Sequence, residues 1–402
     1  MIRYIVGSII MLEAALLLLP ILTAIVYGEW NTLRVFAGSA LFCIVAGALL
    51  RGKKPENTTI FSVEGYVSVA LCWVALSICG AIPLCVSGVL QNPFDAFFEI
   101  VSGFTTTGSS VMQSVEGAPR AILMWRSFSH WVGGMGVLVF MLALLPMAGP
   151  SSMHLMKAES PGPSVGKLVP KIKYTARILY QIYFVLTVVM LACMILTGCP
   201  LFDSINLTFA TAGTGGFGVL DSSAAEYGAA TQWVMTIFMI LFGVNFNVYF
   251  LFYVKRFKEG MKSEEARAYL GIIASAVLLI SVNIFYMVRN LELTVRQAAF
   301  QVASIITTTG FSSVDFDLWP EFSKGILVLL MFCGACAGST GGGIKVSRLC
   351  IMAKTVMKEL AFIIHPRNVR KTRFEGKTVE HEVLRSINVF LVAYLGIFVL
   401  SV

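Results

Sequence analysis

The stretch Phe94-Asp-Ala-Phe-Phe-Glu-Ile-Val-Ser-Gly-Phe-Thr-Thr-Thr-Gly108-Ser-Ser lies between two long apolar runs and decides how the rest of the sequence reads. It returns twice. Phe202-Asp-Ser-Ile-Asn-Leu-Thr-Phe-Ala-Thr-Ala-Gly-Thr-Gly-Gly216-Phe-Gly is the second copy, and Arg296-Gln-Ala-Ala-Phe-Gln-Val-Ala-Ser-Ile-Ile-Thr-Thr-Thr-Gly310-Phe-Ser the third. Aligned on Gly108, Gly216 and Gly310, each copy has a threonine two residues earlier: Thr106, Thr214 and Thr308. Asp95 and Asp203 stand 13 residues before their glycines, and Gln297 takes that place in the third copy. The glycines are 108 and 94 residues apart. One Thr/Gly stretch is an ordinary turn; three, each between a pair of apolar runs, are a repeat.

The flanking runs identify the solvent. Ile5–Tyr27, interrupted by Glu13, and Val67–Val89 are of membrane-spanning length, for which about 20 apolar residues suffice. Hydrophobic residues make up 57% of the 402 and charged residues 13%, against roughly 25% charged in a soluble domain. So few charges cannot solvate so many apolar runs, which excludes a soluble fold. The net charge of +8 does not indicate nucleic acid, because the basic residues sit in short clusters between the runs: Arg51 to Lys54, Lys255 to Lys258, and Arg367 to Arg373. The nine cysteines lie mostly inside apolar runs, as at Cys43, Cys72, Cys193 and Cys350. There they read as small hydrophobes, and so does the Cys333-Gly-Ala-Cys336 pair, which lacks a second pair of ligands.

Membrane helices are expected near 3–27, 33–50, 61–90, 122–145, 174–198, 231–256, 268–289, 324–364 and 384–402. Threaded alternately from an inner N-terminus, they put 23 of the 30 basic residues inside, as the positive-inside rule requires. Eleven of the 22 acids fall outside, an acidic mouth that would concentrate cations. All three repeated stretches fall on the outer side. Each predicts a half-helix of about ten residues, too short to cross, followed by a short extended segment that returns. Non-helical backbone at membrane depth needs cover from protein or water. A water-filled pore on a pseudo-fourfold axis supplies it. Glycine permits close backbone approach there, carbonyls replace an ion's hydration shell, and the negative helix C-termini favour a cation. The expected filter is Thr106, Thr107, Gly108, Thr214, Gly215, Gly216, Thr308, Thr309 and Gly310.

A second irregularity interrupts the run 324–364. Gly338, Ser339, Thr340, Gly341, Gly342 and Gly343 precede Lys345. Each interior glycine costs a helix about 1 kcal/mol relative to alanine, so this segment is expected to be non-helical and to face a cavity, with Lys345 as a functional candidate at membrane depth. It is not a phosphate-binding loop, because that motif needs adjacent Gly-Lys-Ser/Thr after a strand and Ile344 separates Gly343 from Lys345. No nucleotide is expected on this chain. An intramembrane enzyme with Ser339 or Cys336 as nucleophile is a rival reading, as is a non-conducting membrane scaffold. His130 is the one histidine within the membrane runs, and His154, His365 and His381 read as inner loop residues.

These motifs, with His130-Trp-Val-Gly-Gly-Met-Gly136, make the chain resemble the Trk/Ktr/HKT superfamily of potassium transporters, TrkH type. The two N-terminal helices also look like that type. The resemblance implies a polytopic all-α protein, not an enzyme, that takes up potassium across a bacterial inner membrane with its N-terminus in the cytoplasm. Potassium would be held at Thr106, Thr107, Thr214, Gly215, Thr308 and Thr309, with Gly338–Gly343 and Lys345 as a gate beneath them. It further implies a homodimer, a cytosolic nucleotide-binding regulatory subunit of the TrkA kind, and no nucleic-acid partner. Inner segments 255–267 and 365–385 are the candidates for docking that subunit. Sodium-selective relatives carry serine at the position of Gly108, which favours potassium here. The implied organisation is two extra helices (1–54), pore repeats at 55–157, 158–263 and 264–374, and the start of a fourth repeat at 375–402. On that count the native chain is expected to continue, with a fourth filter glycine near ~410 or somewhat later.

Overall fold

The computed structural model of the chain describes residues 1–53, 62–134, 136, 172–365 and 371–401. The first apolar run is two helices, α1 (Ile2–Leu16) and α2 (Leu18–Tyr27), joined at Leu17. Pro20 lies inside α2 and has no N–H to offer the carbonyl of Leu16, which explains a break where the hydropathy is continuous. Next come α3 (Trp30–Arg51), α4 (Ser62–Val86), a short α5 (Pro93–Phe104), α6 (Arg120–Gly134), α7 (Ile172–Leu196), a second short helix α8 (Leu201–Ala212) and α9 (Ala229–Phe242). Then follow α10 (Phe246–Tyr253), α11 (Phe257–Met261), α12 (Glu264–Val288), α13 (Leu291–Ile306), α14 (Glu321–Cys333), α15 (Val346–Ile364) and α16 (His381–Ser401). Among the described residues, six spans are long and apolar enough to cross a membrane, counting α1 with α2 as one. The pair α9 and α10 adds a seventh if taken as one broken span.

Two further expected helices are interrupted. The run 231–256 breaks at Gly243, where a Cβ would overlap the Tyr269 hydroxyl, and restarts on Asn245, whose side chain accepts from the amide of Asn247 at 2.9 Å. The run 324–364 breaks between Cys333 and Val346. The helix expected at 122–145 is seen as far as Gly134. Its remainder, Lys54, the segment 157–171 with the loop holding His154, and residues 367–370 lie outside the described residues. The segment after α15 holds a hairpin that hydropathy does not suggest: β1 (Arg373–Phe374) pairs antiparallel with β2 (Lys377–Thr378). Its two-residue turn, Glu375 (φ 50°) and Gly376 (φ 73°), has both residues left-handed, as tight hairpins favour.

The described residues fall into two compact units. One takes those up to Phe242 together with Thr309–Asp315; the other takes Gly243–Thr308 and those from Phe316 onward. In the first, α1 and α3 approach through small residues. A Cβ on Gly7 would overlap the backbone of Arg51, and one on Gly47 would lie within 2.9 Å of the Gly7 carbonyl oxygen and the Met11 amide. Such contacts let membrane helices pack backbone to backbone. Glu29, at the turn from α2 to α3, accepts from the amides of Arg120 (2.6 Å) and Ala121 (3.1 Å), and so covers the open N-terminus of α6.

Gly47→Leu is expected to lower stability by about 1–3 kcal/mol through overpacking, read as a lower unfolding temperature in detergent. Gly38→Leu, on the same helix where a Cβ meets nothing within 4 Å, should leave that temperature unchanged.

Candidate functional site

The short helices α5 and α8 have 12 residues each and α13 has 16, so α5 and α8 reach about 18 Å where a bilayer core is about 30 Å. All three start alike. Asn92 and Asn290 cap α5 and α13 by accepting from Phe94 and Leu293, both at 3.1 Å. Pro200 precedes α8, and Asp95, Asp203 and Glu292 stand in the first turns, where acid suits the helix dipole.

All three also end alike. The amide of Thr106 donates to Gly103 and that of Thr107 to Ser102; Thr214 donates to Thr211 and Gly215 to Ala210; Thr308 donates to Ile305. This is the closure that helices ordinarily make with a left-handed glycine. Here the left-handed residue is threonine, at φ 55° for Thr106, 57° for Thr214 and 58° for Thr308. A β-branched residue is an outlier in that region, at roughly 1–2 kcal/mol. Two residues on, Gly108, Gly216 and Gly310 are again left-handed, at φ 78°, 79° and 90°. The turns also touch. A Cβ on Gly108 would overlap the carbonyl oxygen of Gly215, and one on Gly216 would overlap that of Thr309. Backbone thus meets backbone from the first copy to the second and from the second to the third.

The back of the first two turns is filled by α6, which explains its glycines. A Cβ on Gly133 would overlap the carbonyl of Phe104, the last residue of α5, and one on Gly134 would lie 3.0 Å from the Tyr183 hydroxyl. His130 is fully buried, its ring lies where a Cβ of Gly215 would be, and it stacks on Phe217 at 4.1 Å. Arg126 lies over the same Phe217 ring at 4.1 Å and pairs with Glu99 at 2.7 Å. Both charges are buried. Glu99 also accepts from the Ser110 hydroxyl and the Val111 amide, each at 2.9 Å, so it fixes the chain leaving the first turn. Alternate threading counts Glu99 and Arg126 among the outer charges; the place of Arg126 inside the expected span 122–145 is the signal that it is buried with a partner. The acidic side expected from the threading is reduced accordingly: Glu29 caps α6, Glu99 is neutralised, and Asp221 accepts from Ser114 (2.6 Å) and Val115 (2.7 Å). Those two donors hold the Asp221 carboxyl below its usual range, the Ser114 hydroxyl foremost.

In the second unit, the glycine-rich segment between α14 and α15 is folded back on itself. Ala335 donates to Gly342, Val346 to Ala335, Ile344 to Phe332 and Lys345 to Cys333. Gly334 (φ 71°), Gly338 (φ 68°), Gly343 (φ 82°) and Lys345 (φ 81°) are left-handed. A Cβ on Gly334 would overlap the Gly342 carbonyl. The loop reaches the third turn directly, because the amide of Gly342 donates to the Thr308 hydroxyl at 2.7 Å and Gly341 lies against the Thr307 carbonyl. Lys345 is buried, and its ammonium donates to the carbonyl of Gly341, inside the loop. Thr340 is buried as well, while the Ser339 hydroxyl donates to the carbonyl of Cys336 at 2.6 Å.

Hydropathy gives no hint of what holds this loop. Glu265, buried near the start of α12, accepts from the amides of Ala337 (2.6 Å) and Ser347 (3.1 Å), one on each side of the loop, and from the Asn245 side chain at 3.0 Å. The Phe246 amide donates to the Gly338 carbonyl at 3.0 Å, and Cys336 donates to Gly243. The break in the run 231–256 therefore serves the loop. At the start of α12, Glu375 of the hairpin accepts from the Ser263 hydroxyl (2.8 Å) and the Glu265 amide (3.1 Å), and Lys354 bridges Glu264 and the Arg373 carbonyl.

The family described as TrkH, cation transport protein, matches residues 32–402. The Trk system potassium uptake proteins TrkH of Salmonella typhimurium and of Escherichia coli are each 33% identical over 407 residues, covering 99% of this chain and 83% of theirs. The crystal structure of the potassium transporter TrkH from Vibrio parahaemolyticus superposes with a TM-score of 0.85 at 29% identity, covering 99% of this chain and 84% of that one.

Glu265→Ala should release both sides of the glycine-rich loop. Each lost bond to a charged acceptor is worth about 1.5–3 kcal/mol, so amide exchange at Ala337 and Ser347 should quicken by about tenfold or more, while that at Val111, held by Glu99, stays unchanged.

Proposed function

The chain belongs to the TrkH family of cation transport proteins, and from that premise we propose that its three Thr-x-Gly turns are the selectivity filter of a potassium uptake pathway. The chain is a multi-pass membrane protein with a role in potassium uptake, the activity its relatives are named for. The observation that carries the filter is the repeated backbone. Left-handed threonine, one residue, then left-handed glycine recurs at Thr106 and Gly108, Thr214 and Gly216, Thr308 and Gly310, with the first two copies at the ends of helices too short to cross. Left-handed and right-handed residues in alternation turn successive carbonyls to one side, the arrangement that replaces a hydration shell. Carbonyls of Thr106, Thr107, Thr214, Gly215, Thr308 and Thr309 take the ion, and the helix C-termini behind them add negative potential. The repeats bounded at 55–157, 158–263 and 264–374 are the units of this pathway.

The glycine-rich loop 338–343 is its gate. Two contacts support this: Gly342 bonds to Thr308, and Gly341 lies against Thr307. The ammonium of Lys345, turned onto the Gly341 carbonyl, stabilises the folded loop from within. Glu265 is the latch, and the hairpin links it to the cytoplasm through Glu375. A regulatory nucleotide-binding subunit pressing on the basic inner segments 255–267 and 365–385 would act through that link. The chain works as a homodimer in the bacterial inner membrane with its N-terminus in the cytoplasm, in keeping with its basic inner loops. The hydrogen-bonded state of Ser339 and the membrane-transport relatives argue against hydrolase chemistry.

Gly108→Ser in proteoliposomes tests the filter. The new Cβ would overlap the Gly215 carbonyl oxygen and displace it. The preference for potassium over sodium flux should fall by about tenfold, a loss near 1.4 kcal/mol. An unchanged ratio with unchanged folding would remove these carbonyls from selection.

A further inference from the structure

Glu13 is the one acid in the first apolar run, and the filter and gate make no use of it. It is fully buried, and among the described residues neither of its carboxylate oxygens meets a hydrogen-bond partner. A carboxylate in that position is strongly disfavoured unless a proton or a cation neutralises it, and an acid within the membrane is a functional-site candidate by default. Its neighbours are the thiols of Cys43 on α3 and Cys79 on α4. A Glu13 oxygen and the two Sγ atoms all lie within 4.8 Å of one another, and all three residues are buried.

The packing that makes this cluster is specific. Gly7 and Gly47 bring α1 and α3 together, and Cys43 precedes Gly47 by one helical turn on the same face. Cys79 is followed by Gly80, whose missing side chain leaves room for Glu13: a Cβ there would stand 2.9 Å from Oε1. We propose that Glu13, Cys43 and Cys79 form a buried site for one soft divalent cation of the zinc class. Two sulfurs and one carboxylate oxygen are the donors that such ions select, whereas potassium takes oxygen. Three protein ligands leave a fourth position for water or a further ligand. The thiols enter as thiolates and give up their protons, so loading weakens as pH falls.

The site also has a line to the filter. Gly80 packs against α5, where a Cβ on it would stand 2.9 Å from Ile100 and 3.1 Å from Phe104. Phe104 closes α5 two residues before left-handed Thr106. Trp125 of α6 donates to the Gly80 carbonyl at 3.0 Å. A cation holding α1, α3 and α4 together therefore sets the surface on which the first short helix rests.

Cadmium alone is the probe, added to the full chain in detergent. The expected result is one tightly held ion per chain with a sulfur-to-cadmium charge-transfer band, which disappears in the Cys43→Ser, Cys79→Ser double variant. Glu13→Gln should weaken binding by about tenfold or more. A variant keeping only Cys43 and Cys79 of the nine cysteines should keep the band. X-ray absorption at the zinc edge on the zinc-loaded wild type should show two sulfurs near about 2.3 Å, and this reading stands even if the double variant fails to fold. Equal cadmium uptake by wild type and double variant, or a zinc spectrum without sulfur, would overturn the site and leave Glu13 as a buried protonated acid.

Discussion

A threonine held at positive φ, three times over, is the constraint from which the rest of the structure follows. Thr106, Thr214 and Thr308 each end a helix in a conformation that a β-branched residue adopts only when its surroundings insist. A glycine at each of these positions would relieve the strain, yet the sequence keeps threonine and places the glycine two residues later. The surroundings that insist are visible. The helix-closing bonds of Thr106, Thr214 and Thr308 fix the first left-handed residue, and the near contact of Gly108 with Gly215 and of Gly216 with Thr309 leaves no room for a side chain at Gly108 or Gly216. Where backbone must meet backbone at membrane depth, every polar group has to find a partner or an ion.

Buried carboxylates do the holding. Glu99 fixes the segment leaving the first turn and is neutralised by Arg126. Glu265 holds both sides of the glycine-rich loop and keeps contact, through its own amide, with Glu375 of the hairpin. One acid thus fixes the chain after the first turn, while the other is positioned where a change at the hairpin can reach a loop that touches Thr308. The difference lies in the partner. Glu99 has an arginine, whose removal would leave a buried charge at a cost of about 3–5 kcal/mol. Glu265 accepts from the amides of Ala337 and Ser347 and from Asn245, neutral donors that are easier to exchange.

The membrane class, the three copies and the break at 338–343 were legible because each rests on a property that survives without coordinates: apolar length, spacing, and glycine in a helical run. What was not legible depends on where a side chain points. Hydropathy runs straight through Leu17 and Gly243, yet Pro20 breaks the first helix, and the other stops where Gly243 leaves room for the Tyr269 hydroxyl. Charge counting put Glu99 and Arg126 outside, because a sum over a loop cannot see that two opposite charges face one another. His130 read as a lone membrane histidine; its ring packs behind Gly215, a contact between residues 85 positions apart in the sequence. Glu265 lies within the basic segment 255–267 and reads as part of it, since only the folded chain brings it to Ala337 and Ser347.

The central claim, that the three left-handed turns coordinate the transported ion, is open to direct observation. Crystals of the protein grown in rubidium in place of potassium should show anomalous density beside the carbonyls of Thr106, Thr107, Thr214, Gly215, Thr308 and Thr309, and lose it when sodium replaces rubidium. Rubidium density that avoids these carbonyls, in protein competent for potassium uptake, would contradict the account.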